Sequence, residues 1–187
     1  MSISCLQAWQ EMTALSDEQS VRNYSREIDM SDFTVETELF PKEVLHAYSM
    51  WNLEKPATEE TQKHFNSTRG GGQGDYREGM STKINNVVDC LTAFPHSKRA
   101  LITICNTSTP SHTSDDDAKC MREIHFYVTS ENTLNATVLF RAQAALIFPK
   151  NIHFIGSLMT EIAQGLPNTP RLGTLYYLTS ILVSDRS

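Results

Sequence analysis

The chain has 187 residues, of which 40% are apolar and 20% charged, and it carries a formal net charge of −6. That composition excludes a disordered chain, and the acidic balance argues against non-specific binding to nucleic acid or to an anionic membrane surface. The length fits one domain, residues 1–187, able to bury roughly 70% of its unfolded surface in a single core.

The chain begins Met1-Ser2-Ile3-Ser4, which lacks a signal-peptide layout, and no apolar run approaches the roughly 20 residues needed to span a bilayer. The expected setting is therefore cytoplasmic, with Cys5, Cys90, Cys105 and Cys120 as reduced thiols. Residues 3–15 fit a short helix with Ile3, Leu6 and Trp9 on one face, and residues 16–40 are polar and mixed. Lys42 to Leu53 shows Val44, Leu45, Tyr48 and Trp51 at helical spacing between Pro41 and Pro56. The stretch Arg69-Gly70-Gly71-Gly72-Gln73-Gly74-Asp75 lacks the Lys-Ser/Thr ending of a phosphate cradle and reads as a flexible loop.

Residues 82–93 form an amphipathic helix on Ile84, Val87, Val88 and Leu91, and 100–105 read as a largely buried strand. Ile124, Phe126 and Val128 alternate, as do Leu134, Ala136, Val138 and Phe140 after the turn composition of 130–133, so 123–140 reads as an antiparallel hairpin. A helix opens near Pro149 and Asn151, turns Ile152, Ile155, Met159 and Ile162 inward and ends at Gly165; a strand follows over Thr174 to Val183. Strands and helices mix without strict alternation, which predicts an α+β fold. No Cys-x-x-Cys or zinc-spaced histidine pair occurs, and Asp115-Asp116-Asp117 lacks the spacing of a calcium loop, so no metal is expected. The glycosylation-like triplets at Asn23, Asn66, Asn106 and Asn135 would go unused in the cytosol.

Three segments share an order. They are Ser97-Lys98-Arg99 with the strand ending Cys105-Asn106; Cys120 followed by Phe126-Tyr127-Val128; and Phe140-Arg141 followed by Phe148-Pro149-Lys150-Asn151-Ile152. Together with Tyr76, this succession resembles the thymidylate synthase and pyrimidine nucleotide hydroxymethylase superfamily over about residues 75–183. The resemblance implies a mixed sheet flanked by helices, with the sheets of two subunits packed back to back in a homodimer with shared sites. It implies Cys120 as the nucleophile that adds to C6 of a pyrimidine nucleotide, with Arg141 beside it. It further implies Lys98 and Arg99 as phosphate ligands for the neighbouring subunit, Arg22 as a phosphate ligand near the N-terminus, Asn151 as the reader of the uracil edge, and Glu43 as an acid/base group. The carbon donor it implies is 5,10-methylenetetrahydrofolate, with methyl and hydroxymethyl transfer both open.

The chemistry of the residues agrees with part of this. Even an unperturbed thiol is partly ionised near neutrality, and a neighbouring guanidinium increases the thiolate fraction. Simpler readings stand beside it: Cys120 as an inert thiol at a strand edge, Arg141 as a salt-bridged surface residue, Lys98 and Arg99 as basic residues after a helix, and Asn151 as an N-cap. The chain also departs from the family. Ala142 and Ala144 stand where it has serine and aspartate, Val183 and Asp185 where it has ribose-binding histidine and tyrosine, Cys105 replaces a tryptophan, and the sequence stops at Ser187 without the folate-closing tail. Two expectations follow: a folate-dependent one-carbon transferase acting at C5, or a catalytically degenerate binding or regulatory relative.

Overall fold

The computed structural model describes residues 1–66, 75–104 and 119–185. The glycine-rich stretch 69–74, Cys105, Asn106 and the acidic run 115–117 lie outside them. The described elements in chain order are β1 (Ile3–Ser4), α1 (Cys5–Ser16), β2 (Val21–Asp29), α2 (Lys42–Asn52), α3 (Glu59–Gln62), α4 (Met80–Ala93) and β3 (Leu101–Thr103). They continue with β4 (Met121–Val128), β5 (Thr133–Phe140), β6 (Gln143–Ala144), a 3-10 turn Ala145–Ile147, α5 (Phe148–Gly165) and β7 (Arg171–Val183). The strands form one mixed sheet ordered β1-β2-β7-β5-β4-β3, with β6 also pairing β7. The architecture is mixed α+β, helices flanking a mixed sheet. No helix among the described residues is long and apolar enough to cross a membrane.

Helix α5 is the centre of the core. Every residue from Phe148 to Met159 is buried, as expected for a helix wrapped by other elements rather than laid on a surface. It connects β5 to β7, which pair in parallel, and α2 and α4 pack alongside it. Close packing there depends on Gly156. A Cβ at that position would lie 2.1 Å from Cγ of Phe33, so the ring of Phe33 occupies the space a side chain would need.

The sheet has one covered face and one open face. Ile124, Phe126, Ala136, Val138, Phe140, Leu175 and Tyr177 point into the core. On the opposite face, the register aligns Glu27, Tyr176, Thr137, His125 and Leu101 in one row across five strands. Ser25, Leu178, Leu139, Glu123 and Thr103 make the next row. Leu101, Tyr176 and Leu178 on this face are 42%, 38% and 38% exposed, unusually open for large apolar groups in a sheet.

The expected hairpin and the helices at 42–53, 82–93 and 149–165 are present within a residue or two. Two local readings change. Residues 21–29, read as part of a polar and mixed stretch, form the longest strand but one among the described residues. Only Tyr24 and Ile28 are buried there, and Arg26, on the same side, pairs with Glu11 of α1. Asn151 is not an N-cap: the cap position of α5 is Ile147, with Pro149 in the first turn, and the Asn151 side chain is committed elsewhere.

Candidate functional site

The β4–β5 hairpin brings Cys120 and Arg141 together. Cys120 immediately precedes β4 and Arg141 immediately follows β5; Met121 stands opposite Phe140, and the Arg141 N–H donates to the Cys120 carbonyl at 2.8 Å. Both side chains are half-buried. The β4–β5 register shifts between Met121 and Glu123, just after the cysteine, an irregularity of the kind that re-aims side chains at a sheet end. The next residue in is held as well, because the Met121 N–H meets the Tyr76 hydroxyl at 3.4 Å. Tyr76 also borders a cleft of about 300 Å³ that Arg77, Lys83 and Lys119 line alongside Asp75 and Glu78.

Arg22 stands at the same end of the sheet. It pairs with Ile181 in β7, two residues beyond the Thr179 that faces Phe140. Two strand spacings therefore separate it from Arg141, about 10 Å. It is exposed.

Lys98 and Arg99 are exposed at the opposite end of the hairpin. The Ala100 carbonyl receives the Phe126 N–H and the Pro95 carbonyl receives the Val128 N–H, so the 95–100 loop lies level with Phe126 to Val128. From there to Cys120 is about seven residues of extended strand, roughly 20 Å. Within one chain Lys98 and Arg99 therefore stand apart from Arg141, because the antiparallel pairing of β3 with β4 carries their loop to the other end of the hairpin. The loop does reach the open sheet face, where the His125 ring N–H donates to the Ser97 carbonyl at 3.2 Å.

Glu43 lies exposed in the first turn of α2. Tyr48, the α2 residue whose hydroxyl feels Cys120 electrostatically, is five positions on. That is about 140° around the helix, so the two point to different sides. Glu43 has no side-chain partner among the described residues and is not brought to Cys120; the N-terminal position that suggested it does not determine which face it occupies.

Asn151 is 2% exposed and belongs to a buried network. Its Nδ2 donates to Gln143 Oε1 at 3.0 Å, the Tyr177 hydroxyl donates to the same oxygen at 2.8 Å, and Gln143 Nε2 donates to the Ala144 carbonyl at 2.6 Å. The Oδ1 of Asn151 is buried without a partner among the described residues. Such a group costs about 1–3 kcal/mol unless something supplies a donor.

Two buried tyrosines tie this network to the thiol. Burial pushes the hydroxyls of Tyr48 and Tyr177 well above the ordinary phenol range, and a smaller contribution in the same direction comes from Cys120 in both cases. Lys150, next to Asn151, is 2% exposed and carries its ammonium 4.6 Å from the centre of the Tyr48 ring.

Gln143 and Lys150 are the residues that sequence reasoning passed over. The available signal was a polar side chain inside an apolar run, Ala142 to Ile147 for one and Phe148 to Ile152 for the other. The remaining described thiols are structural. Cys5 is buried and its Sγ approaches the Asp29 carbonyl at 3.5 Å; burial, reinforced by Asp32 and Asp29, pushes it up to about 12. Cys90 is half-buried and donates to the Ser97 hydroxyl at 3.2 Å. Among the described residues no group of three or more His, Cys, Asp and Glu side chains could hold a metal ion. No protein-family model matches the chain, and no curated protein gives a significant match to it.

Proposed function

We propose that the chain is a thymidylate-synthase-like transferase that uses Cys120 to activate C5 of a pyrimidine nucleotide for one-carbon transfer. The observation that carries this reading is the pairing of Arg141 with Cys120 across the end of the β4–β5 hairpin. That backbone bond sets the two residues side by side at the sheet end, where a guanidinium brought to the thiol would favour the thiolate. Arg22 at the same sheet end supplies a second cation for a phosphate, and Asn151 supplies an unpaired acceptor for a base edge. Addition of the Cys120 thiolate to C6 makes C5 a nucleophile for the donor's methylene. Release of the donor nitrogen and loss of the C5 proton would leave an exocyclic methylene, which takes a hydride from the folate for methyl transfer or water for hydroxymethyl transfer as the thiolate leaves C6. The folate donor rests on the family resemblance.

The same reading includes a homodimer. A site that needs Lys98 and Arg99 has to receive them from a second copy, since they stand at the wrong end of their own hairpin. The open sheet face, with Leu101, Tyr176 and Leu178 half-exposed, is the surface that a back-to-back pairing would cover.

Incubation with dUMP, UMP, dCMP and CMP tritiated at C5 tests the activity, with and without methylenetetrahydrofolate. Folate-dependent tritium release from one of them, abolished in Cys120→Ser, is the expected result. A covalent adduct of Cys120 with 5-fluoro-dUMP, read by mass spectrometry, is expected with it. No release and no adduct would favour the degenerate-relative reading, for which one observation speaks: Ala142 and Ala144 bring no polar side chain to positions where the family has serine and aspartate.

A further inference from the structure

We propose that the cleft lined by Tyr76 and Lys119 is a binding site for an oxyanion, the phosphate or carboxylate group of a small ligand, held by Arg77 and Lys83. The inference goes beyond the nucleotide reading above and does not depend on it.

The site is built on one carboxylate. Asp75 Oδ1 accepts the Arg77 backbone N–H at 3.0 Å, and Asp75 Oδ2 accepts the Trp51 indole N–H at 3.4 Å. Backbone and ring are thereby fixed together, and the Arg77 guanidinium lies over the Trp51 ring, 3.7 Å from its centre. Stacking occupies the face of a guanidinium and leaves its in-plane N–H groups for an acceptor. The Arg77 Nε is buried with no hydrogen-bond partner among the described residues, and no described carboxylate forms an ion pair with the group.

Lys83 is the second cation. It stands in the first turns of α4, half-buried, and its Nζ donates to the Glu78 carbonyl at 2.7 Å. Burial pulls its pKa below the ordinary lysine value, against smaller opposing pulls from Glu78 and Glu54. No described carboxylate forms an ion pair with it either. The Glu54 carboxylate is committed to the start of α4, where it accepts the Gly79 N–H at 2.8 Å and the Ser81 N–H at 2.9 Å. Arg77 is the last of the influences that lower the pKa of Glu54. Asp75 and Glu54 thus serve backbone N–H groups, and Glu78 is exposed. Two half-buried cations are left without a paired anion, a cost that a bound oxyanion would offset.

The size and place of the cleft agree. It encloses about 300 Å³, at the lower end of small-molecule pockets, and Ile104 gives it an apolar wall. Lys119 immediately precedes Cys120, and the Tyr76 hydroxyl receives the Met121 N–H one residue beyond the thiol. The Ile104 N–H donates to the Arg122 carbonyl at 3.0 Å, so the cleft borders the β3 side of β4, whereas Arg141 stands on the β5 side. An oxyanion here is therefore separate from one held by Arg141 and Arg22. Guanidinium and ammonium groups take phosphate and carboxylate oxygens through short charge-assisted hydrogen bonds, the first as a fork and the second as a point charge.

The test titrates sodium phosphate, and in a second arm sodium succinate, into the chain at an ionic strength held constant with chloride, and reads tryptophan emission. The chain has two tryptophans, and Trp9→Phe leaves Trp51, the ring under Arg77, as the one indole. A saturable change is expected, and the stronger arm identifies the group as phosphate or carboxylate. Lys83→Met removes the ammonium and keeps the stem; it is expected to weaken the apparent affinity at least about 10-fold. Should either variant fail to fold, calorimetry on the wild-type chain and on Lys83→Gln reads the same difference. No saturable change in either arm, or a smaller loss in the Lys83 variant, overturns the inference. So does a response lost in Arg141→Met and kept in Lys83→Met, which would put the ion on the other side of the thiol. The 5-fluoro-dUMP adduct at Cys120 reports on the nucleotide reading separately. An adduct without an oxyanion response overturns this inference alone, and a response without an adduct overturns that reading alone.

Discussion

Ser49 with His153, and Gln143 and Tyr177 with Asn151, are two buried polar clusters built on positions two residues apart in α5, about 200° around the helix from each other. The first faces α2, where the Ser49 hydroxyl and His153 Nδ1 share a 2.7 Å hydrogen bond and the Phe33 ring meets the imidazole edge-on at 5.3 Å. The second faces the sheet end beside Cys120 and leaves an acceptor unused. Both pay the cost of burying polar groups, but only one recovers it inside the protein. A polar cluster that closes on itself serves packing and specificity of the fold; one that ends in an orphan keeps an uncompensated cost among the described residues.

That comparison can be broken from either side. The largest effect is expected from Gly156→Ala, which drives a methyl group into Phe33 and unseals His153; it should cost about 3 kcal/mol in urea unfolding. Adding Phe33→Ala should recover part of that loss, and additive costs would contradict the steric account.

Acid should act next. His153 is pushed down from 6.5 to about 4, chiefly by burial and further by His46 and Lys42. The unfolded chain takes up its proton near pH 6.5 and the folded chain only near pH 4, so the stability it contributes is complete above 6.5 and is lost as pH falls between those values. Between pH 7 and pH 5 the loss is about 2 kcal/mol, and His153→Gln should flatten the unfolding profile across that interval. An unchanged slope in the variant would show that other groups carry the acid response.

Removing single partners separates the clusters most directly. Ser49→Ala strands a buried ring nitrogen and should cost about 1.5 kcal/mol. Tyr177→Phe leaves Gln143 Oε1 still bonded to Asn151 and should cost about 0.5–1 kcal/mol by thermal or urea unfolding. Equal losses would mean that the second cluster is as closed as the first.

The parts of the fold readable in advance were those where burial follows a period. The β4–β5 hairpin alternates cleanly because one face is core and the other open, and α4 carries a single stripe. Strand β2 hid because its inward positions are Tyr24, Arg26 and Ile28, and the middle one is satisfied by a salt bridge from α1 instead of by burial. The juxtaposition of Cys120 and Arg141 was accessible from the hairpin alone, since register places the residues flanking paired strands side by side. That Lys98 and Arg99 stand far from Arg141 within one chain was not legible, because spacing along the chain does not say to which end of a strand a loop belongs. The Gln143–Tyr177 contact joins residues 34 positions apart, the tyrosine lying five residues before Leu182, the register partner of Gln143 in β7, and no local pattern encodes it.

The sheet order also has a consequence for how the chain reaches its native state. Strands β4 and β5 meet across a short turn, but β2 meets β7 only by pairing residues 21–29 with 174–182. Closing that loop costs about 3 kcal/mol more chain entropy than closing the hairpin turn, so the hairpin forms early and the β2–β7 ladder late. During synthesis β2 waits until β7, residues 171–183, has emerged. Until it docks, β7 presents an unpaired edge rich in tyrosine and leucine, and that interval is when the protein is most open to aggregation.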